Sequence, residues 1–201
     1  MIHRVGRTAR AAAFLAIFAA APARANFHLW QIEEIFSNAD SSVQYVEFFS
    51  SSTFDQNLLL HHTLLSEQGA ATLESVQFDK DLGTPTRNHF FLIATPAFEA
   101  AAGIKPDYTF PAGFIHLGAT NKVEMAGAST TPFTFDPSAL PTDGTNALAA
   151  VGGTMFPPET AVASPINFAG EKGQLVPEPN AALGGAAALG ALAVLARRRP
   201  F

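Results

Sequence analysis

FHLWQIEEIFSNADSSVQYVEFF, Phe27 to Phe49, reads as two strands joined by a polar turn. Side chains alternate faces along a strand. Strict alternation therefore places Trp30, Ile32, Glu34 and Phe36 on one face of the first strand, and Val43, Tyr45, Glu47 and Phe49 on one face of the second. Each face is apolar apart from a single glutamate. Between the strands, Ser37 to Ser42 supplies short polar side chains that bond to nearby backbone and tolerate turn geometry.

Outward from this hairpin the chain keeps the same character. Asn57–Leu65 is an apolar run of strand length, and Thr72–Phe78 alternates before Gly83 and Pro85 interrupt it. His89–Thr95 is continuously apolar, which predicts a central strand. Pro96–Gly103 has room for one or two helical turns. Prolines then recur at 106, 111, 132, 137, 141, 157, 158, 165 and 177, leaving space for an ordinary helix only at Asn121–Ala128 or Asn146–Val151. Short strands are predicted at Phe114–Leu117, Lys122–Met125 and Phe133–Phe135, with Asn121–Ala128 and Asn146–Val151 also short enough to be extended. Many short strands punctuated by Gly and Pro point to a mainly β chain folded as a single β-sandwich. Pro157 to Pro177 reads as a linker.

Composition fits one domain with appendages. The chain has 201 residues, 48% hydrophobic and 14% charged, which excludes a disordered polymer. Seven of the twelve basic residues lie at the extremities, at Arg4, Arg7, Arg10, Arg24, Arg197, Arg198 and Arg199. Residues 26–178 keep five basic residues against all seventeen acidic ones, a formal charge of −12. Such a body repels phosphate backbones, which argues against a nucleic-acid partner. There is no cysteine, so disulfides, thiolate metal sites and cysteine nucleophiles are excluded. About 130 residues can bury roughly two thirds of their unfolded surface without such staples.

Both ends carry targeting patterns. Basic residues, an apolar run from Ala11 to Ala21 and the small-x-small site Ala23-Arg24-Ala25 form a secretory signal, predicting a signal helix over residues 1–25, signal peptidase as a partner and a mature chain from Asn26. At the other end Val176-Pro177-Glu178-Pro179 precedes sixteen apolar residues, Ala181 to Ala196, and then Arg197, Arg198 and Arg199. As a hydrophobic helix that run spans roughly 24 Å, short of the approximately 30 Å hydrocarbon core. Eleven of its residues are Ala or Gly, so it is a marginal permanent anchor. The terminal arginines favour the cytoplasmic side, while the signal sends the body outward.

This three-part tail resembles PEP-CTERM sorting signals. The resemblance implies processing by an exosortase-type membrane protease, which is thought to remove the helix, and a cell-surface or matrix destination among exopolysaccharide and envelope components. A plain C-terminal membrane anchor is the alternative. The body resembles lamin-tail-type domains in Ile32-Glu33-Glu34-Ile35, Tyr45-Val46-Glu47-Phe48, Phe91-Leu92-Ile93-Ala94-Thr95 and Leu140-Pro141-Thr142-Asp143-Gly144. That resemblance implies an immunoglobulin-like sandwich used as an accessory or binding module. The expected organisation is a signal peptide at 1–25, a sandwich at 26–156, a linker at 157–175 and a sorting tail at 176–201.

Chemistry is sparsely marked. Glu34 and Glu47 are the candidate site residues. If the hairpin pairs them near one another on an inner face, the pKa of at least one rises or a cation is required, and the pair offers a calcium site or an acid/base pair; at an open edge both are solvated or paired with Lys or Arg. Asn38, Asp40, Asp79 and Asp81 offer oxygens but lack calcium-loop spacing, and read as solvated turns. Adjacent His61 and His62 point to opposite faces of a strand, and His28, His89 and His116 are isolated in sequence. No nucleophile elbow, phosphate loop or dinucleotide fingerprint occurs. The phenylalanine-rich aromatic set, eighteen Phe against one Trp and two Tyr, reads as core. The expectation is an exported, non-catalytic surface protein with no catalytic residue and no cofactor beyond calcium. The alternative is an extracellular metal-dependent hydrolase or other small enzyme.

Overall fold

The computed structural model describes residues 27–128, 132–151 and 154–175. The expected signal helix with Ala23 and Ala25, and the tail with Val176–Pro179, the apolar helix and Arg197–Arg199, lie outside the described residues. Ten strands and almost no helix make the body mainly β. They are β1 (Gln31–Ser37), β2 (Gln44–Ser50), β3 (Thr63–Gln68), β4 (Ala71–Gln77), β5 (His89–Ala94), β6 (Tyr108–Thr109), β7 (Lys122–Met125), β8 (Phe133–Thr134), β9 (Asn146–Val151) and β10 (Thr154–Val162). One short helix, α1 (Phe98–Ala102), stops at Gly103, whose positive φ of 74° suits a left-handed helix end. Among the described residues no helix is long and apolar enough to cross a membrane.

The strands form two sheets. The larger has the order β10-β9-β1-β2-β5-β6 and the smaller β4-β3-β7-β8. All pairings are antiparallel except β5 with β6. One apolar core draws on both sheets: Trp30, Ile32, Ile35, Val46, Phe48, Phe91 and Ile93 from the larger sheet and the residue preceding it, Leu64, Val123, Met125 and Phe133 from the smaller. Trp30, on the edge of Phe91 at 4.7 Å, and Phe48, stacked on Phe91 at 4.5 Å, sit in this core.

A second apolar group covers the opposite face of the large sheet. It comprises Phe36, Val43, Tyr45, Leu92, Ala94 and Ala147 under Phe98 and Ala102 of α1, together with Ile104, Ala163 and Leu175. The large sheet is thus buried on both sides, which accounts for the unbroken apolar run of β5.

Four expectations change. Alternation along β1 does not persist: the register with β2 passes from Ile32–Phe48 to Glu34–Glu47, leaving Glu33 as the extra residue of a bulge. Trp30 and Ile32 therefore enter the core between the sheets, whereas Glu34 and Phe36 turn to the opposite face. Asn57–His62 is irregular, and its strand begins only at Thr63; His61 sits at a positive φ of 69°. Phe114–Leu117 is a turn, although Phe114 and Ile115 are fully buried. Gln44 holds that turn through both ends of its amide, with Oε1 accepting from Ile115 N at 3.1 Å and Nε2 donating to Ile115 O at 2.7 Å.

The expected linker at 157–175 is folded, so the body reaches Leu175 and does not stop at 156. Strand β10 pairs with β9, and the chain then crosses the large sheet as a strap. Its prolines suggested a spacer, but an edge strand and a crossing segment need few backbone donors and accommodate them.

Candidate functional site

Glu34 and Glu47 are brought together by the bulge. They are direct cross-strand partners, and they are only 4% and 2% exposed. Without the extra residue at Glu33, Glu34 would point into the core between the sheets and Glu47 away from it. The open-edge, solvated reading of this pair is therefore overturned. Among the described residues no Lys or Arg forms an ion pair with either.

Their partners are polar donors from the chain itself. The Tyr45 hydroxyl donates to Glu34 Oε1, which also accepts from Ser164 N at 3.0 Å, while Ser164 Oγ donates to Glu34 Oε2 at 3.2 Å. Glu47 Oε2 accepts from Ile166 N at 2.5 Å. Burying a carboxyl group without such donors is strongly unfavourable, and these bonds offset part of that cost.

Burial pushes the Glu34 carboxyl above its usual range, opposed by the donors from Tyr45 and Ser164. Glu47 is pushed up to about 9, first by burial and then by the charge of Glu34. Tyr45 rises well above an ordinary phenol, because burial and both carboxylates disfavour its anion. At neutral pH the pair therefore holds a proton on Glu47, and Glu34 is the acceptor of three bonds.

The strap continues in the same manner. Asp107 Oδ2 accepts from Leu92 N of β5 at 2.8 Å and from Phe168 N at 2.9 Å. Asn167 donates to Lys105 O at 3.0 Å and to Glu171 Oε2 at 2.7 Å. The chain reverses at Gly170, with an Ile166–Lys172 bridge, and on its return Gln174 N donates to Ala102 O at 3.1 Å. Buried Leu175 ends the described segment against the α1 side of the sheet.

The remaining candidates stay apart. Asn38 Oδ1 accepts from Val43 N at 3.0 Å and Asp40 Oδ1 from Ser42 N at 2.9 Å, so both shape the turn. They line a recess of about 160 Å³ with Asp143, whose carboxyl is drawn down to about 2 by donors from Asn146 and Thr145. Asp81 accepts from Leu60 N at 2.8 Å. His62 stacks on Phe27 at 3.3 Å and is shifted down by burial, His116 lies 3.3 Å from Glu74, and His89 bonds the Arg87 carbonyl. Among the described residues no three His, Asp or Glu side chains converge as metal ligands.

Sequence reasoning missed Tyr45, Asp107, Ser164 and Ile166. Two of these four act through backbone N–H groups, which carry no residue signature. A further recess of about 410 Å³ is lined by Ser51, Ser52, Thr53, Pro85, Arg87 and Asn88. Its walls are tied together, since Thr86 N donates to Asp55 Oδ1 at 2.9 Å and Gln56 N to Thr86 Oγ1 at 2.6 Å. Comparison with protein-family models, curated proteins and solved structures finds no match for this chain.

Proposed function

We propose that the chain is an exported surface or matrix-associated protein, sorted by a PEP-CTERM-type tail, whose body presents a binding surface and does not turn over a substrate. The observation that carries this reading is the order of the tail: Val176-Pro177-Glu178-Pro179, the small-residue apolar run Ala181–Ala196, then Arg197–Arg199. Together with the Ala23-Arg24-Ala25 site it implies signal peptidase and an exosortase-type protease as processing partners. The two sheets with a shared core support an immunoglobulin-like sandwich resembling lamin-tail domains.

The non-catalytic part of the reading is supported by the way Glu34 and Glu47 are used. Tyr45, Ser164 and Ile166 aim donors at these carboxyl groups where a substrate or cation would have to sit. The recess at Ser51–Thr53 and Arg87 is where a hydroxylated, uncharged polymer, such as a neutral exopolysaccharide, would find hydroxyl and guanidinium donors.

The mass of the mature protein from its native envelope tests the sorting half. A species spanning roughly Asn26 to Glu178 is expected, with all seven terminal arginines lost. Recovery of membrane-extracted protein with Ala181–Ala196 intact would leave a plain anchor. A stoichiometric metal site that survives high salt and requires Glu34 or Glu47 would bring the metal-dependent enzyme reading forward.

A further inference from the structure

We propose that Ser164–Leu175 is a proton-controlled strap, docked over the large sheet while the Glu34–Glu47 pair carries no more than one negative charge and released when both are ionised. This goes beyond the sorting reading and stands without it.

Two glutamates face each other across central strands β1 and β2, and the cover over them is the strap, attached to them through Ser164 N, Ser164 Oγ and Ile166 N. The charged and titratable groups around the pair are Glu33 and Glu34 from β1 and Tyr45 from β2. Strands β5 and β9 meet it with Leu92 and Ala149. On the strap side the neighbours are N–H and hydroxyl donors; its own charged residues are Glu171, which bonds Asn167 on the return leg, and exposed Lys172, bridged through its backbone to Ile166. Among the described residues neither Lys172 nor any other Lys or Arg forms an ion pair with Glu34 or Glu47, so a second charge has no partner in the docked state.

A doubly ionised pair must therefore gain water. Strands β1 and β2 cannot part to admit it, because each is hydrogen-bonded on both sides in the sheet. The strap lies outside the strand ladders and is held by its bonds to the glutamates, the bonds from Phe168 N to Asp107 and from buried Asn167 to Lys105 O, the return-leg bond to Ala102 O, buried Leu175 and Phe168 packed against the core. It opens at less cost than β1 and β2 can part, as a local event below global unfolding. The direction follows from the charge: the docked state is favoured by acid and weakened by base.

Hydrogen exchange followed by mass spectrometry on the purified full chain tests this, with rates corrected for intrinsic base catalysis at steps from pH 6 to pH 10. Peptides from 163–175 should lose protection about tenfold or more relative to peptides from β5, with a midpoint near 9. Glu47→Gln, which places a neutral amide at the same position, should abolish that step. If this variant does not fold, carbon-detected titration of the glutamate carboxyls in the unsubstituted protein replaces it; the Ser164 and Ile166 amide resonances should move with the same midpoint as Glu47. Equal loss of protection in strap and β5, no step at all, a step that persists in Glu47→Gln, or amide shifts unconnected to the Glu47 titration would each overturn the proposal.

Discussion

A buried carboxyl group that keeps its proton ties stability to pH. Glu47 in the folded chain titrates near 9, against 4.5 for an unperturbed glutamate, and Glu34 is shifted the same way. Between those values the folded state holds a proton that the unfolded state has lost, so this contribution is complete below about pH 4.5 and declines up to about pH 9. Asp143 works in the other direction. Its carboxyl, lowered to about 2, favours the fold above 3.8 and loses that influence as pH falls further. Urea midpoints should therefore be highest in mildly acidic solution and fall steadily toward pH 9, and Glu47→Gln should flatten the alkaline slope. A midpoint rising from pH 5 to 9 would contradict the assignment. Gln44 gives a second test: it is fully buried and bonded at both ends of its amide to Ile115, so Gln44→Ala strands the Ile115 groups. The expected loss is about 1–3 kcal/mol in chemical denaturation. The sequence marked Glu34 and Glu47 because a lone carboxylate on an apolar face is conspicuous. It left Gln44 unmarked, since a buried glutamine looks like any surface glutamine until the turn it holds is known.

Elements were legible where one period dominates. Strands β5, β7 and β9 and helix α1 follow the apolar runs and the Pro–Gly punctuation closely. Strand β1 was legible as a strand but not in its facing, because a bulge of one residue reverses every side chain beyond it and no residue in Ile32-Glu33-Glu34 announces it. The strap was least legible. Its stability comes from carboxylates 119 to 130 residues away accepting its amide hydrogens, and local composition does not record such partners. The same fact makes it sensitive to backbone changes. Ile166→Pro removes the N–H that reaches Glu47 and should cost at least about 2 kcal/mol, because a buried acceptor then loses its donor. Ser164→Ala keeps the amide bond to Glu34 and should cost about 1 kcal/mol. Equal effects of the two substitutions, measured by thermal and urea unfolding, would show that the strap is held by its apolar contacts alone.

For the molecule as a whole, charge and strand content lead to bulk observables. Far-ultraviolet circular dichroism of the mature body should be dominated by β structure, as ten strands against one five-residue α-helix and one 3-10 turn among the described residues require. With −12 over residues 26–178, calcium should associate diffusely, and the effect should fade as salt screens exposed charges over about 8 Å. Titration calorimetry with calcium at low and high ionic strength separates this from a defined site, which would persist. Strand β10, at the margin of the larger sheet, carries Pro157 and Pro158. Neither proline has an N–H to offer to a neighbouring backbone, so a second copy arriving side-on meets a strand that cannot complete a ladder. Wherever copies of this chain meet at high local density, those two missing donors oppose edge-to-edge growth into a fibre.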